Sequence, residues 1–321
     1  MIVTRTPFRV SLCGGGTDIP SYYKRNGGCV VSTSIDKYVY ITLTKSFHPS
    51  TILKYSVVEK IDSVSEIKHP IFKELLTKYD ISGVEINSTS HIPAGTGLGS
   101  SSAFTVGLTN AVRTYKKQIV SKRILAEEAC DIEINRLKSP IGKQDQYASA
   151  YGGFNFIRFN KDGRVDVEPI DLYPADKRRL FDNLLMFYIG GTRDASKILK
   201  SYDVSEVDQS RLQLSKLAER LKYDLSRGSM SSLGKILDEG WKIKKMISDR
   251  ITTPLIDSIY ETAMNNGASG GKLLGAGNNG FMLFYVEDDS KKAVREALSG
   301  FRELDFTFED EGSKVIYNDE I

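Results

Sequence analysis

Pro93-Ala-Gly-Thr-Gly-Leu-Gly-Ser-Ser-Ser-Ala103 is the stretch from which the rest of this chain can be read. Gly95, Gly97 and Gly99 alternate ahead of Ser100, Ser101 and Ser102, and an apolar-periodic segment, Ala103 to Val112, follows at once. Glycine lets a backbone turn tightly and approach a ligand without Cβ interference. The first turn of the helix that follows presents N–H groups without intrahelical partners and the positive end of the helix dipole. Together these make an anion site. The serines add hydroxyls for capping, for phosphate oxygens or for a metal ion. A loop that merely caps a helix is the plainer alternative, but capping does not require three spaced glycines.

Two familiar phosphate loops do not fit. The stretch lacks the Gly-Lys-Ser/Thr ending of a Walker loop. A formal Gly-x-Gly-x-x-Gly at Gly275, Gly277 and Gly280 runs into an apolar strand-like segment, Phe281–Val286, whereas a dinucleotide fingerprint opens a helix. The 321 residues leave room for two ordinary domains, and 40% hydrophobic with 26% charged residues is a globular composition. A net charge of +3 gives no reason to expect a nucleic acid or a membrane as partner. Cys13, Cys29 and Cys130 are odd in number and share no metal-ligand spacing. With neither an export signal nor a run of about 18 apolar residues, a cytoplasmic setting is expected.

Periodicity predicts strands around Val10 and Leu12, over Lys37–Lys45 and over Val84–Asn87, with a short helix at Ile71–Tyr79 between the last two. Helices are expected from Ser100 to about Tyr115 and from Ser121, as N-cap, to about Leu137, where Pro140 and Gly142 break the pattern. Strands Phe154–Phe159 and Val165–Val167 flank an Asp162-Gly163 turn. A strand at Leu184–Ile189 precedes mostly helix to about Asn265, and strand-like runs follow at Lys272–Leu274 and Phe281–Val286. A helix near Ser290–Leu298 comes next, and Leu304, Phe306 and Phe308 alternate as in a last strand. The pattern is α+β, with a boundary near residues 170–183 that divides the chain into 1–175 and 176–321.

Three further segments join the glycine–serine loop. Arg9-Val-Ser-Leu-Cys-Gly-Gly-Gly-Thr-Asp18 runs from a strand into a glycine turn that ends in a carboxylate. Glu133 precedes Asp145 of Gly142-Lys-Gln-Asp-Gln-Tyr147, and Gly270-Gly-Lys-Leu-Leu-Gly-Ala-Gly-Asn-Asn-Gly280 closes the set. In order and spacing they resemble the GHMP family of small-molecule kinases, which includes galactokinase and the homoserine, mevalonate and phosphomevalonate kinases. The resemblance covers nearly the whole chain. It implies a two-domain fold, with an N-terminal half like a ribosomal protein and a ferredoxin-like C-terminal half. It also implies ATP and Mg²⁺ as cofactors.

Carried over by position, Gly95, Thr96, Gly97, Leu98, Gly99 and Ser100–Ser102 would wrap the ATP phosphates, while Ser101 and Glu133 would hold Mg²⁺. Asp145 would stand beside the acceptor hydroxyl with Arg9 near it, and Asp18 would bind sugar hydroxyls. Gly15, Gly16, Thr17, Gly275 and Gly277 are expected at the substrate. Such residue types suit phosphoryl transfer, which asks mainly for positioning and charge neutralisation.

Galactokinases have Glu-His where this chain has Gly15-Gly16, so more room is expected at the sugar. Gly14–Tyr23 is similar to the bacterial heptose 7-phosphate kinases of the family, which phosphorylate an anomeric hydroxyl. A sugar phosphate needs a cationic anchor, for which Arg193 is the first candidate and Lys197 and Lys272 weaker ones. A 1-kinase for fucose or galactose is the nearest alternative. An isoprenoid kinase and a non-catalytic sugar sensor fit less well, the latter because Asp145, Glu133 and the serines are all present.

Overall fold

Branched and small polar residues alternate through the first half of the chain, a composition that favours a pleated, half-buried surface. In the computed structural model they form two long antiparallel strands, Ile2–Cys13 and Gly28–Lys45, joined by a glycine turn and the short helix Pro20–Asn26. The structure describes residues 1–191, 204–248, 250–275 and 277–319. The second strand serves two neighbours along its other edge. Val39–Lys45 pairs with Val84–Ser90, and Gly28–Thr33 pairs with Phe154–Phe159. The hairpin of Thr51–Lys54 and Val58–Ile61 and the strand Val165–Pro169 extend this eight-stranded sheet.

The second half builds a four-stranded antiparallel sheet in the order Arg302–Glu303, Leu184–Tyr188, Phe281–Val286, Ala268–Leu273. All six residues of Phe281–Val286 are buried. Phe281, Leu283 and Tyr285 join the main core, while Met282, Phe284 and Val286 join a second cluster with Trp241 and Ile259. Burial on both faces explains why this strand reads as a continuous apolar run rather than an alternation. The long helical region resolves into Val204–Ser226, Ser232–Ile247 and Pro254–Asn265. Leu214, Leu217 and Leu237 from these helices share the main core with Val10, Leu12 and Val31 of the first sheet. The halves therefore form one packed body with a cleft between them.

Two expectations need correction. Leu304, Phe306 and Phe308 do not form the last strand: only Arg302–Glu303 pairs, and Phe308 makes a single bridge to Ile35. Their apolar side chains instead pack across the seam between the halves, where Phe306 and Phe308 meet the ring of Phe181. The last strand is Lys314–Asn318, which adds an edge to the first sheet against Ile2–Arg5. A division at 175/176 therefore leaves out the return of the chain's end to its first strand.

The glycine–serine loop and the loop before Phe281 lie back to back. Gly97 has φ +91° and a Cβ there would come within 2.5 Å of the Leu274 carbonyl oxygen. Gly280 has φ +111° and its Cβ would overlap the Thr96 carbonyl. Gly280→Ala is expected to cost about 1–3 kcal/mol through backbone strain and this overlap. Thermal unfolding should show a lower midpoint. An unchanged midpoint would mean that the two loops do not press on each other.

Candidate active site

The helix Ser100–Tyr115 starts at Gly99, whose φ of +76° is left-handed, and no side chain caps it. The first-turn N–H groups of Ser100, Ser101 and Ser102 are thus left to a ligand, and all three residues line the cleft. Gly95 and Gly97 line it too, whereas Thr96 and Leu98 are fully buried behind the loop. Thr96 donates its hydroxyl to the Pro93 carbonyl, 3.0 Å away.

Arg9, 4% exposed, fixes the other side of the loop. Its Nε and Nη2 donate to the two carboxylate oxygens of Asp145 at 2.7 and 2.8 Å, and its Nη1 donates to the Gly97 carbonyl at 2.7 Å. This forked geometry is specific to a guanidinium. Asp145 sits in the first turn of the helix Gln144–Tyr151 and keeps part of its carboxylate at the cleft surface.

Glu133 reaches the same cleft by an unusual route. The helix Lys122–Cys130, capped by the Ser121 hydroxyl, continues as a π-helical turn over Asp131–Arg136. The wider turn lets both Ile132 and Glu133 face inward. Glu133 accepts hydrogen bonds from Ser101 Oγ at 3.0 Å and from Gln146 Nε2 at 2.7 Å. Burial pushes its carboxyl up to about 7, against the opposing effect of the Gln146, Ser102 and Ser101 bonds. Among the described residues, no group of three or more His, Cys, Asp or Glu side chains comes together as a metal cage. One buried carboxylate with neutral hydrogen-bond partners, one hydroxyl and an adjoining phosphate loop nevertheless fit Mg²⁺, which takes most of its ligands from phosphate and water.

Asp18 is also buried, and burial raises its pKa. Its carboxylate accepts the N–H groups of Gly16 at 3.1 Å and Gln144 at 3.0 Å, which joins the glycine turn to the helix that carries Asp145. Gly142 is required beneath it, because a Cβ there would overlap the carboxylate. Gly15, Gly16, Asp18 and Gly275 all line the cleft, a cavity of about 400 Å³.

Two of the substrate residues expected from the sequence do not line it. Thr17 is buried, with its hydroxyl bonded to the Gly14 and Cys29 carbonyls. Gly277 packs against Ile251 at a φ of +123°. Arg193 and Lys197 lie outside the described residues. Lys272 is in the cleft, but its ammonium donates to the Ser11 and Leu12 carbonyls at 3.0 and 3.1 Å, and burial pulls its pKa down to about 8.

Among the lining residues that the sequence reading does not single out are Ser11, Gln144, Arg211 and Lys244. Gln144 had a signal, since it immediately precedes Asp145 at a helix start. Arg211 had none, because an arginine within a long amphipathic helix reads as a solvated face.

The chain matches the family models described as GHMP kinases N terminal domain, over residues 65–153, and GHMP kinases C terminal, over residues 221–303. It is 32% identical to the D-glycero-alpha-D-manno-heptose 7-phosphate kinase of Campylobacter jejuni over 98% of each chain. It is 25% identical to a galactokinase of Pyrococcus furiosus over 92% of each. A crystal structure described as a D-glycero-D-manno-heptose 1-phosphate kinase from Bacteroides thetaiotaomicron superposes with a TM-score of 0.82 at 24% identity, covering 99% of this chain and 100% of that one. No helix among the described residues is long and apolar enough to cross a membrane.

Replacing Glu133 by its neutral isostere tests the reading of its burial. Glu133→Gln removes a buried charge and keeps the shape, so thermal stability without ligands should be unchanged or higher. The stabilisation that Mg²⁺ adds to ATP should largely disappear in the variant. Equal Mg²⁺-dependent shifts in both proteins would remove Glu133 from the metal site.

Proposed function

This chain is a sugar kinase of the GHMP family, and we propose that it transfers the γ-phosphoryl group of ATP to the anomeric C1 hydroxyl of D-glycero-D-manno-heptose 7-phosphate. The product would be the 1,7-bisphosphate, on the way to nucleotide-activated heptose. One observation carries the reading of the chemistry: the serine-rich helix start, the Arg9–Asp145 pair and Asp18 all face a single cleft. The likeness to the Campylobacter enzyme over the full length of both chains supports the choice of sugar.

In this reading the N–H groups of Ser100–Ser102 and the loop glycines cradle the ATP phosphates. Asp145 faces the acceptor hydroxyl and takes its proton as the oxygen attacks phosphorus, while Arg9 fixes the carboxylate's orientation. Asp18 positions the ring hydroxyls. Each of its oxygens accepts one backbone N–H and keeps a lone pair for the sugar. Mg²⁺ held by Ser101 and Glu133 would supply charge neutralisation at the phosphates.

Asp145→Asn should keep ATP and sugar binding but lower kcat by about 10²–10⁴-fold, the usual contribution of a positioned base. A loss under about tenfold would reduce Asp145 to a positioning residue. The product is expected to show a new phosphorus coupling at the anomeric carbon by NMR. A phosphate at any other position would move the chain to another acceptor chemistry.

A further inference from the structure

The cleft is charged unevenly. Near the glycine–serine loop, Arg9 is matched by Asp145 in a bidentate pair. Around the Gly14–Gly16 turn, Arg211 and Lys272 line the wall, and Asp18, whose ionisation burial disfavours, is the acid among them.

Arg211 stands out because of where it is held. It comes from the helix Val204–Ser226 and is 8% exposed, with its guanidinium 5.7 Å from the Tyr22 ring centroid. Asp208 pairs with it at 3.6 Å, but the same carboxylate also pairs with Arg25 at 2.8 Å. Two guanidinium groups thus converge on one carboxylate at this corner of the cleft. A guanidinium largely removed from water favours an anion far more than an exposed one would.

The order of residues along the wall gives the direction. A Cβ at Gly15 would lie 3.8 Å from Gln144 Nε2, beside Asp145, and one at Gly16 would lie 3.9 Å from Arg211 Nε. The wall therefore runs from the proposed reacting carboxylate, past two residues without side chains, to a fixed cation. We infer that Arg211 is a specificity-determining residue that binds the phosphate carried by the sugar acceptor, at the end remote from the hydroxyl that is phosphorylated. Gly15 and Gly16 leave the path between the two ends open. This inference rests on the sugar-phosphate reading above, and its test separates the two.

Steady-state kinetics would compare D-glycero-D-manno-heptose 7-phosphate with the unphosphorylated heptose in the wild type and in Arg211→Gln. Loss of a charge-assisted contact to phosphate should raise KM for the 7-phosphate by at least about tenfold. KM for the free heptose and for ATP, and kcat, should stay within about threefold. A wild type that uses both sugars equally would overturn the substrate reading and the inference together. A wild type that prefers the 7-phosphate, with a variant that keeps the preference, would overturn the role of Arg211 alone. Should Arg211→Gln fail to fold, Asp208→Asn decides the matter. Removing the shared carboxylate should lower KM for the 7-phosphate and leave that of the free heptose unchanged. No change in the ratio of the two would overturn the inference.

Discussion

One buried guanidinium ties together the parts of this site that are far apart in sequence. Arg9 projects from the first strand, grips both oxygens of Asp145 at the start of a helix, and donates to the Gly97 carbonyl in the phosphate loop. Its own backbone N–H donates to the Leu98 carbonyl at 3.2 Å, so strand and loop are joined twice. Lysine could not make this fork, since a compact ammonium lacks the planar pair of donors. Desolvating two charges offsets most of their attraction, and removing one partner of such a pair typically costs about 3–5 kcal/mol. The pair is therefore best understood as fixing geometry. Gly99 shows how tightly: a Cβ there would sit 3.2 Å from Arg9 Cγ and 3.3 Å from an Asp145 oxygen.

The ionisable groups around this pair do not minimise their own free energy. Burial opposes the charged forms of Glu133, Asp18 and Lys272, and all three open on one cavity. Strained electrostatics concentrated in one place is characteristic of a site arranged for a ligand, and in the proposed reading phosphates, a metal ion and sugar hydroxyls would supply the partners that neutral hydrogen-bonding groups alone do not. Elsewhere the protein compensates its buried charges. Glu128, for example, receives Tyr79, Lys78 and Arg113 together, and those bonds hold its carboxyl below the usual range despite burial.

Much of the fold and of the cleft is legible in the sequence alone. The helix Ser100–Tyr115 and the strands Phe154–Phe159 and Phe281–Val286 have the bounds that their periodicity gives, because their ends are marked by glycine, serine or a change of pattern. The candidates Arg9, Asp18, Ser101, Glu133 and Asp145 do converge on one cleft. Thr17 was misread because a threonine after three glycines looks like a ligand contact, and only the fold shows its hydroxyl turned toward backbone carbonyls. The alternation Leu304, Phe306, Phe308 was misread because a crossing segment that buries every second residue has the same period as a strand. Arg211 was invisible because its importance comes entirely from packing against a turn nearly 200 residues earlier, and no local pattern encodes that.

The segment Gly270–Gly280 makes the general point about glycine motifs. It has the spacing of a nucleotide fingerprint, yet most of its glycines serve close approach of backbones. Gly271 leaves room for the Phe284 ring and the Leu283 carbonyl, Gly277 lies against Ile251, and Gly280 against Thr96. Lys272, in the same segment, reaches the carbonyls of Ser11 and Leu12 just before the Gly14–Gly16 turn. The C-terminal half thus supports both glycine turns of the N-terminal half from behind, one by contact and one by hydrogen bonds. A phosphate loop that must offer its N–H groups outward needs such backing, because the amides cannot be pre-aimed unless the opposite face of the loop is held. The position of the candidate active site between two halves fits this requirement: one half presents the donors, and the other keeps them in place.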